Sequence, residues 1–471
     1  MSVTMQKVGL QGLTVGVLGM QRTGQALAPA LAAQGARPVL CDAKTRQALG
    51  DAATAIEALG AEVRYAAGTD AVLSEIDLLV PSPGVRRDAP VLLEALRRGI
   101  PVLSEIEIAY LIAPCDILAV TGTNGKTTVT LMLAAALRAA GRNAYAAGNI
   151  SADNIKLPLV TAAAQAQPDD VIVAEISSFQ LEWVDQFRPK VGILCNVSRD
   201  HMDRYSNMAE YAATKARIFA RQREDDVAVV NVVNAPTRAV GRAVPGRALW
   251  FDKQHCGKPY HACVHDERLC VRWEGEEVAL CRVDELRVKG NHNLENALAV
   301  AGSAVAYGAD PRLVDLGLRE FDGVVHRMEL VGEAGGVTYI NNSMCTNIDA
   351  AVRSMDSVRR PVVLIAGGSR KGETDFEPLG QAIARKARHL FVMGAMADEI
   401  ANAARRAGFS RITYAGSMDE AVAGCAAVAA PGDVVLLSPA CASFGLYSDF
   451  EHRGRAFREA ARRAIAGRST P

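Results

Sequence analysis

Short apolar runs that alternate with helical stretches are the dominant pattern along this chain. Near the start, an apolar run at residues 13–18 ends at Gly19, a helical pattern follows at residues 26–34, and a second run at residues 38–41 ends at Asp42. A strand, a crossover helix and a second strand form the β-α-β unit of a parallel sheet. The first segment is therefore predicted to be a Rossmann-like domain.

The same alternation appears twice more and predicts an α/β fold of three domains. A central parallel sheet is predicted from the apolar runs at residues 117–120, 171–175 and 191–196, and residues 253–290 interrupt it with a small β-hairpin region. A C-terminal Rossmann-like domain is predicted from the runs at residues 362–366, 390–394 and 434–438. Parallel sheets bind ligands at the carboxyl ends of their strands. The predicted domains are residues 1–103, 104–323 and 324–471.

Composition narrows the function classes. The chain has 471 residues, enough for about three domains, and its 52 Lys and Arg balance 52 Asp and Glu. The formal charge is therefore zero and gives no sign of a polyanion-binding surface, so nucleic acid is not expected as a partner. No apolar stretch is long enough to span a bilayer, and Arg22 interrupts the only run near the start that resembles a signal peptide. We expect a cytoplasmic protein.

Residues 121–128 carry the clearest chemical signal. They read Thr-Gly-Thr-Asn-Gly-Lys-Thr-Thr and join a predicted strand to a predicted helix, the context in which glycine loops wrap nucleotide phosphates. Lys126 would add a cation, and the Thr127 hydroxyl would bind Mg²⁺. The general pattern G-x-x-x-x-G-K-[ST] requires glycine where Val120 stands, so this form is narrower. We predict a protein that consumes ATP or GTP, in preference to an ordinary glycine turn.

Three further polar residues follow the predicted central strands. Glu175 ends a buried strand and suits a Mg²⁺ ligand, with a helix-capping carboxylate as the alternative. His201 stands between two aspartates and is either a metal ligand or an ordinary loop histidine, and the residues alone favour the second. Lys215 lies in a helical stretch, where by itself it would be a solvated surface lysine.

The first segment also contains an incomplete dinucleotide fingerprint. Gln21 stands where G-x-G-x-x-G has its second glycine, between Gly19 and Gly24. That glycine lets a pyrophosphate approach the backbone closely, so a redox dinucleotide is not favoured. A nucleotide-diphosphate sugar remains possible.

A cluster of cysteines and histidines raises the question of zinc. It consists of His255, Cys256, His261, Cys263, His265, Cys270 and Cys281. The spacing matches no tight ligand pair, and the residues read as short strands joined by turns. We therefore do not predict zinc.

Later residues suit the binding of anions or a base. Asn293 and Asn296 lie one helical turn apart, so two amides share one face, unless an asparagine there caps the helix. Arg327 is a candidate phosphate or carboxylate fork. Lys371 follows Gly367 and Gly368 in a loop at the end of a predicted strand.

Taken together, these motifs resemble those of the Mur ligases, the ATP-dependent amide-forming enzymes of peptidoglycan precursor synthesis. The resemblance covers essentially the whole chain. Its most specific segments are residues 122–127, 175–182, 200–205, 292–293, 326–327 and 438–443. Several separated matches in the right order do not arise readily by chance.

The resemblance implies a role for each matched position. ATP would be bound by Gly122, Thr123, Asn124, Gly125, Lys126, Thr127, Thr128, Asn293, Asn296 and Arg327. Two Mg²⁺ ions would be held by Thr127, Glu175, His201 and a carbamylated Lys215. The implied catalytic residues are Lys126, Glu175, His201 and Lys215. The UDP-sugar would be bound by Thr23, Asp42, Ser82, Gly84 and Asn149, and glutamate by Thr346, Lys371, Ser443 and Phe450.

The resemblance also implies a reaction. Residues 1–103 would bind the UDP-sugar, residues 104–323 ATP, and residues 324–471 the amino acid. ATP would convert the carboxylate of UDP-N-acetylmuramoyl-L-alanine into an acyl phosphate, and the amine of D-glutamate would attack it, leaving ADP and phosphate. Closure of the last domain would keep water from hydrolysing the intermediate. A monomer that serves cell-wall synthesis, cell shape and cell division is implied.

Two departures from the family pattern keep alternatives open. Family members carry an acid and a lysine where this chain has Asn342 and Met344, and residues 444–449 near the amino-acid site also differ. In the first domain, Arg22 replaces a usually apolar residue near the uracil. The alternatives are the same fold using L-glutamate, and a nucleotide-binding homologue without catalysis. A folylpolyglutamate synthase is disfavoured because a whole nucleotide-sugar-type domain precedes the glycine loop.

Overall fold

The computed structural model describes residues 9–150, 157–254, 257–370 and 375–468. The chain divides into two compact units. The first contains the chain up to Val197, Ala209–Glu285 and Ala297–Glu320, and the second contains Ser198–Met208, Leu286–Asn296 and the chain from Phe321 onward. Two of the sheets that follow belong to the first unit and one belongs to the second.

The first segment forms a parallel sheet where the alternation predicts one. Its strands are β1 (Thr14–Leu18), β2 (Arg37–Cys41), β3 (Glu62–Arg64) and β4 (Leu78–Pro81). Its helices are α1 (Arg22–Ala33), α2 (Arg46–Leu49), α3 (Asp51–Glu57), α4 (Thr69–Leu73) and α5 (Pro90–Arg97). Within the described residues the order is β3-β2-β1-β4, so the strand order reverses at β1, where such sheets bind ligands.

The central segment forms a larger sheet. Its strands are β5 (Asp116–Thr121), β6 (Ala144–Gly148), β7 (Val171–Glu175), β8 (Val191–Leu194), β9 (Val227–Asn231), β10 (Arg247–Phe251), β11 (His261–His265), β12 (Arg268–Trp273) and β13 (Glu276–Arg282). The described strands follow the order β13-β12-β11-β10-β9-β8-β5-β7-β6. Its helices are α6 (Glu105–Ile112), α7 (Lys126–Ala139), α8 (Leu159–Gln165), α9 (Ser178–Leu181), α10 (Met208–Ala216), α11 (Ala235–Gly241), α12 (Asn291–Ala306) and α13 (Pro311–Glu320).

The predicted hairpins extend this sheet rather than form a separate piece. Strand β11 pairs in parallel with β10, and β12 and β13 then add in antiparallel order. Cys263 and Cys270 are register partners across β11 and β12. His255 and Cys256 lie outside the described residues, and within the described ranges no three or more His, Cys, Asp or Glu side chains form a metal cluster.

The last segment forms a sheet that is buried on both faces. Its strands are β14 (Glu329–Ala334), β15 (Val337–Asn341), β16 (Val362–Gly367), β17 (Ala387–Met393), β18 (Ile412–Tyr414) and β19 (Val434–Leu437), and its described order is β14-β15-β19-β16-β17-β18. Its helices are α14 (Ile348–Ser357), α15 (Glu377–Lys386), α16 (Ala397–Arg406), α17 (Met418–Val428) and α18 (Phe450–Arg468). Val362 and Leu364 join one apolar cluster and Val363 and Ile365 the other, which is why this strand reads as a continuous apolar run.

The observed elements confirm the α/β class and leave some finer predictions open. The helix predicted at residues 26–34 begins earlier, at Arg22, directly after the Gly19 turn. Among the described residues, no helix is both long enough and apolar enough to cross a membrane. The exact domain boundaries, after residues 103 and 323, remain predictions.

Candidate active site

The glycine loop joins the end of β5 to the first turn of α7. Gly125 has φ +89°, a left-handed conformation that favours glycine. A Cβ added to Gly122 would lie 3.0 Å from the Cβ of Cys195, so this loop packs closely on the segment after β8. The Lys126 ammonium donates to the carbonyl of Thr123 within the same loop (2.9 Å). With no acidic side chain in its first turn, α7 presents backbone N–H groups that suit an anion.

Thr127 and Glu175 meet across neighbouring parallel strands. Val120 of β5 is in register with Glu175 of β7, and the Thr127 hydroxyl donates to the Glu175 carboxylate (Oγ1–Oε2 2.7 Å). Glu175 is buried, and the short helix that follows is capped by Ser177 instead. A hydroxyl and a carboxylate placed this way are the ligand types with which phosphate-loop proteins hold Mg²⁺. The arrangement supports the metal role over the capping role.

Lys215 is buried, so the surface position suggested by its helix alone is wrong. Only 1% of this residue is exposed. Its ammonium donates to the carbonyl of Gly122 (2.9 Å) and lies 4.6 Å from the centre of the Tyr211 ring. The amine therefore lies against the backbone of the glycine loop. Its carbamylation remains a prediction.

In the first sheet, the predicted UDP-sugar residues lie at the carboxyl ends of three strands. Asp42 follows β2 and accepts from the backbone N–H groups of Met20 (3.3 Å) and Lys44 (2.9 Å). Thr23 is in the first turn of α1, directly after the Gly19 turn. Ser82 and Gly84 belong to a turn that follows β4, closed by a bond from Val85 N to Ser82 O (2.9 Å).

Asn149 links this crevice to the metal-ligand candidate. Its backbone N–H donates to the carbonyl of Glu175 (2.8 Å) at the end of β7. The next residue, Ile150, accepts a bond from the Arg22 guanidinium (3.4 Å), and Arg22 opens α1 of the first sheet. Residues 149 and 150 therefore contact both the end of β7 and the first turn of α1, and the binding of the UDP-sugar by Asn149 remains a prediction.

Glu105, on α6, is a buried carboxyl that the sequence analysis does not predict. Glu105 accepts from Val160 N (2.7 Å) and from the Gln180 amide (3.4 Å), and burial raises its pKa above the ordinary value. The Gln180 side chain in turn accepts from Ser177 N (3.0 Å), two residues after Glu175. The SSFQLE run, residues 177–182, was a sequence signal that this segment matters.

His201, in the second unit, has an unusual backbone. Its φ is +57°, a strained conformation for a residue other than glycine. Its ring nitrogen lies 3.6 Å from the Asp200 carboxylate, whose other oxygen accepts from His201 N (3.0 Å). Joint metal binding by His201 and Glu175 remains a prediction.

The two predicted amides are indeed on one face of α12. The Asn296 amide donates to Asn293 Oδ1 (3.3 Å), and the Asn293 amide donates to Lys289 O (3.0 Å). Burial, followed by the charges of Arg327 and Arg353, lowers the pKa of the neighbouring His292 to about 4. The contact of these residues with ATP remains a prediction.

The fold accommodates Asn342 and Met344, the residues that replace the acid and the lysine of the family pattern. The Asn342 amide donates to the hydroxyls of Ser354 (2.8 Å) and Ser438 (3.2 Å), and its oxygen accepts from Met328 N (3.2 Å). The Arg327 Nε lies 3.4 Å from the sulfur of Met344. Asn342 therefore fills its site with bonds that suit an amide rather than a carboxylate.

A buried arginine connects the segments that carry the predicted glutamate residues. Arg453, on α18, is 2% exposed and donates to Ser343 Oγ (3.0 Å), Ser343 O (2.8 Å), Cys441 O (3.1 Å), Ala442 O (3.3 Å) and Gly367 O (3.5 Å). We call these residues the Arg453 cluster. All five acceptors within the described residues are neutral, and burial lowers the pKa of Arg453 to about 10.

Three of the four predicted glutamate residues lie next to this cluster in the chain. Thr346 follows Ser343 in one loop, Ser443 directly follows Ala442, and Phe450 opens α18 and accepts from Ser343 Oγ through its carbonyl (2.7 Å). Lys371 lies outside the described residues. An arginine on an arginine-rich helix gives no sequence signal of burial, so Arg453 could not be singled out.

Comparisons with known proteins point to one family along the whole chain. Family models described as Mur ligase MurD-like N-terminal domain, Mur ligase middle domain, and Mur ligase glutamate ligase domain match residues 13–104, 120–304 and 326–441. A UDP-N-acetylmuramoylalanine–D-glutamate ligase of Pelotomaculum thermopropionicum is 42% identical over 443 residues, 94% of this chain and 96% of that protein. One of Alkaliphilus metalliredigens is 36% identical, covering 96% and 98%.

Solved structures agree at the level of the fold. UDP-N-acetylmuramate-alanine ligase MurC of Thermotoga maritima aligns with a TM-score of 0.59 at 18% identity, covering 96% of this chain and 100% of that one. A pseudomurein peptide ligase type C of Methanothermus fervidus aligns with a TM-score of 0.58, also at 18% identity, with coverage of 96% and 100%. The three-domain α/β architecture is common to them.

Proposed function

The chain belongs to the Mur ligase family, and from this premise we propose that it is an ATP-dependent ligase that joins D-glutamate to UDP-N-acetylmuramoyl-L-alanine. Relatives named for that reaction are 36–42% identical over nearly their whole length. The proposal includes a monomer that acts in the cytoplasm and makes a peptidoglycan precursor. It rests on the family and on the local geometry of each unit.

One observation carries the proposal furthest. Glu175 accepts the Thr127 hydroxyl from the glycine loop through its side chain and the Asn149 N–H through its carbonyl. A residue bonded both to the glycine loop and to a predicted UDP-sugar residue suits a reaction in which a phosphoryl group moves onto a carboxylate of the sugar substrate. Simple nucleotide storage would not need this adjacency.

In the proposed reaction the protein contributes mainly by stabilising negative charge. A carboxylate is a poor acyl donor because its leaving oxygen is basic, and phosphorylation by ATP turns that oxygen into a good leaving group. Lys126 and the N–H groups of the glycine loop would neutralise the transferring phosphoryl group. The amine of glutamate would then attack the acyl phosphate, form a tetrahedral intermediate and expel phosphate.

The residues present fit Mg²⁺. Thr127 and Glu175 supply oxygen ligands 2.7 Å apart, which are the ligands this ion prefers. Bound there, Mg²⁺ would offset the negative charge that develops on the phosphates. We propose that Lys215 becomes a carbamate, which would add a further carboxylate-like ligand beside the loop, and that His201 serves a second ion.

The enantiomer assay tests the function directly. The purified full chain is given ATP, Mg²⁺, UDP-N-acetylmuramoyl-L-alanine and either D- or L-glutamate, and phosphate release and product mass are measured. We expect release that requires both the acceptor and D-glutamate. Preference for L-glutamate would keep the ligase and correct the amino acid. No release with either enantiomer would reject the ligase and favour the non-catalytic homologue.

A further inference from the structure

The side-chain amide of Asn196 is hydrogen-bonded to the backbone of the glycine loop. Asn196 follows β8, and its Oδ1 accepts from Asn124 N (2.9 Å) while its Nδ2 donates to Asn124 O (3.0 Å). Its backbone carbonyl also accepts from Thr123 N (2.9 Å). We call these three bonds the Asn196 clamp. A planar amide that pairs with the N–H and the C=O of one residue fixes the two peptide groups on either side of it, as pairing with a neighbouring strand would.

A second asparagine, Asn234, pairs in the same way with the backbone of Val197, the residue that follows Asn196. Asn234, at the start of α11, accepts from Val197 N (3.2 Å) and donates to Val197 O (3.1 Å). The Asn231 side chain at the end of β9 accepts from Asn234 N (3.2 Å). The bonds therefore run without a break from the end of β9 through residues 196–197 to the glycine loop.

The two glycines of the loop make its backbone easy to rearrange, so bonds that fix the residues between them matter. Gly122 and Gly125 both have positive φ, and glycine leaves the backbone free to leave that conformation. Phosphate binding depends on several loop N–H groups that point at one anion. Asn124 lies between the two glycines, so bonds to its backbone limit the conformations of the loop on both sides.

We propose that Asn196 is a positioning residue for the nucleotide: through the Asn196 clamp it holds the glycine loop in its phosphate-binding conformation, and Asn234 supports it. The inference rests on the proposed function only in taking ATP as the ligand of this loop. Asn196 acts through the backbone of Asn124 and needs no contact with the nucleotide.

The test compares three alanine variants. Asn196→Ala removes two of the three bonds of the Asn196 clamp, Asn234→Ala removes the support behind it, and Asn143→Ala is the matched control, an exposed asparagine of the same unit whose amide donates to Asp170 (2.8 Å). Binding of Mg-ATP is measured by calorimetry without other substrates. The KM values for ATP, the UDP-sugar and glutamate are then measured separately.

We expect Asn196→Ala to weaken Mg-ATP binding about tenfold or more, because two hydrogen bonds of ordinary strength are lost. Asn234→Ala should weaken it about threefold, and Asn143→Ala should leave it unchanged. The KM values for the other two substrates should stay near those of the wild type. A general loss of fold would instead change all three KM values and lower the melting temperature.

Asn196→Asp is a second variant at position 196 and keeps the size of the side chain. It retains the acceptor for Asn124 N but places a second oxygen against Asn124 O, so we expect it to bind Mg-ATP no better than Asn196→Ala. Unchanged Mg-ATP affinity in both Asn196 variants would overturn the inference. Because binding is measured without acceptor or amino acid, a wild type that binds Mg-ATP but does not ligate would refute the proposed function and leave this inference standing.

Discussion

The glycine loop in the first unit and the Arg453 cluster in the second unit are both held by side-chain hydrogen bonds to backbone groups, but the side chains differ in charge. Both lie at the carboxyl ends of parallel strands. The Asn196 clamp binds the backbone of Thr123 and Asn124, while the first turn of α7 presents N–H groups that suit an anion. In the Arg453 cluster a buried cation itself ties the segments together through neutral acceptors.

The difference lies in where the positive charge is placed. Lys126 is half-buried at the start of α7, and its ammonium bonds a carbonyl of the glycine loop, where a phosphate would bind, whereas the charge of Arg453 is used inside the protein. Within the described residues, the Arg453 guanidinium donates to carbonyls and one hydroxyl, so these neutral groups have to stabilise its buried charge. The first region should therefore respond to mutation mainly in activity, and the second mainly in stability.

The largest expected effect is on turnover in the first region. Lys126→Ala should lower turnover by about 10³-fold or more, because a cation is lost where phosphoryl charge develops. Its melting temperature should stay that of the wild type, since among the described residues the Lys126 ammonium bonds only to Thr123 O in the same loop. Phosphate release measures the first quantity and circular dichroism the second.

Lys190→Ala is the matched control for this variant. Lys190 precedes β8 at the opposite end of the sheet and pairs with Asp225 (2.7 Å). It should retain turnover. If Lys126→Ala kept the wild-type rate, the glycine loop would not be the site of phosphoryl transfer.

Lys215→Ala distinguishes the two roles proposed for lysines at this site, a cation at Lys126 and a metal ligand at Lys215. If Lys215 serves as a carbamate, its removal should lower turnover about 10²-fold, and short carboxylic acids in solution should restore part of it by supplying the missing oxygens. The same acids should not restore Lys126→Ala, which lacks a cation. Equal response of the two variants to acetate would contradict the carbamate role.

Arg453→Ala tests the second region. It leaves buried carbonyls of Ser343 and Cys441 without a donor, so we expect a loss of about 2–4 kcal/mol in the free energy of unfolding. Arg453→Lys should recover part of the lost free energy of unfolding, because an ammonium keeps the charge but lacks the planar set of donors of a guanidinium. Chemical denaturation measures this, and Arg462→Ala on the exposed side of α18 is the control. A cost as small as that of the control would mean that the cluster does not hold these segments.

The smallest expected effect is a pH dependence of stability. His292 has a pKa of about 4 in the folded chain against an ordinary 6.5. Between those values the unfolded chain binds a proton that folded His292 does not, so stability falls as the pH is lowered from 6.5 towards 4. We expect His292→Gln to remove about 1 kcal/mol of that loss, since partial exposure of the ring screens the effect. Parallel stability–pH curves for wild type and variant would contradict this.

Much of the fold could be predicted because it depends on local pattern. Strands β5, β7, β16 and β19 coincide with apolar runs, since strands buried on both faces have few polar positions. The glycine loop was recognisable because its function needs particular residues at fixed spacing. Strand β3 was missed because it has three residues, none of them fully buried.

The sequence by itself determined the α/β class, the glycine loop and the family, because periodicity and motif spacing act over a few residues. Only the tertiary structure decided that Lys215 and Arg453 are buried, that the hairpins extend the central sheet, and that Asn196 holds the loop. Burial and pairing depend on neighbours far away in the chain. Lys215 and Gly122, for instance, are 93 residues apart yet joined by one hydrogen bond.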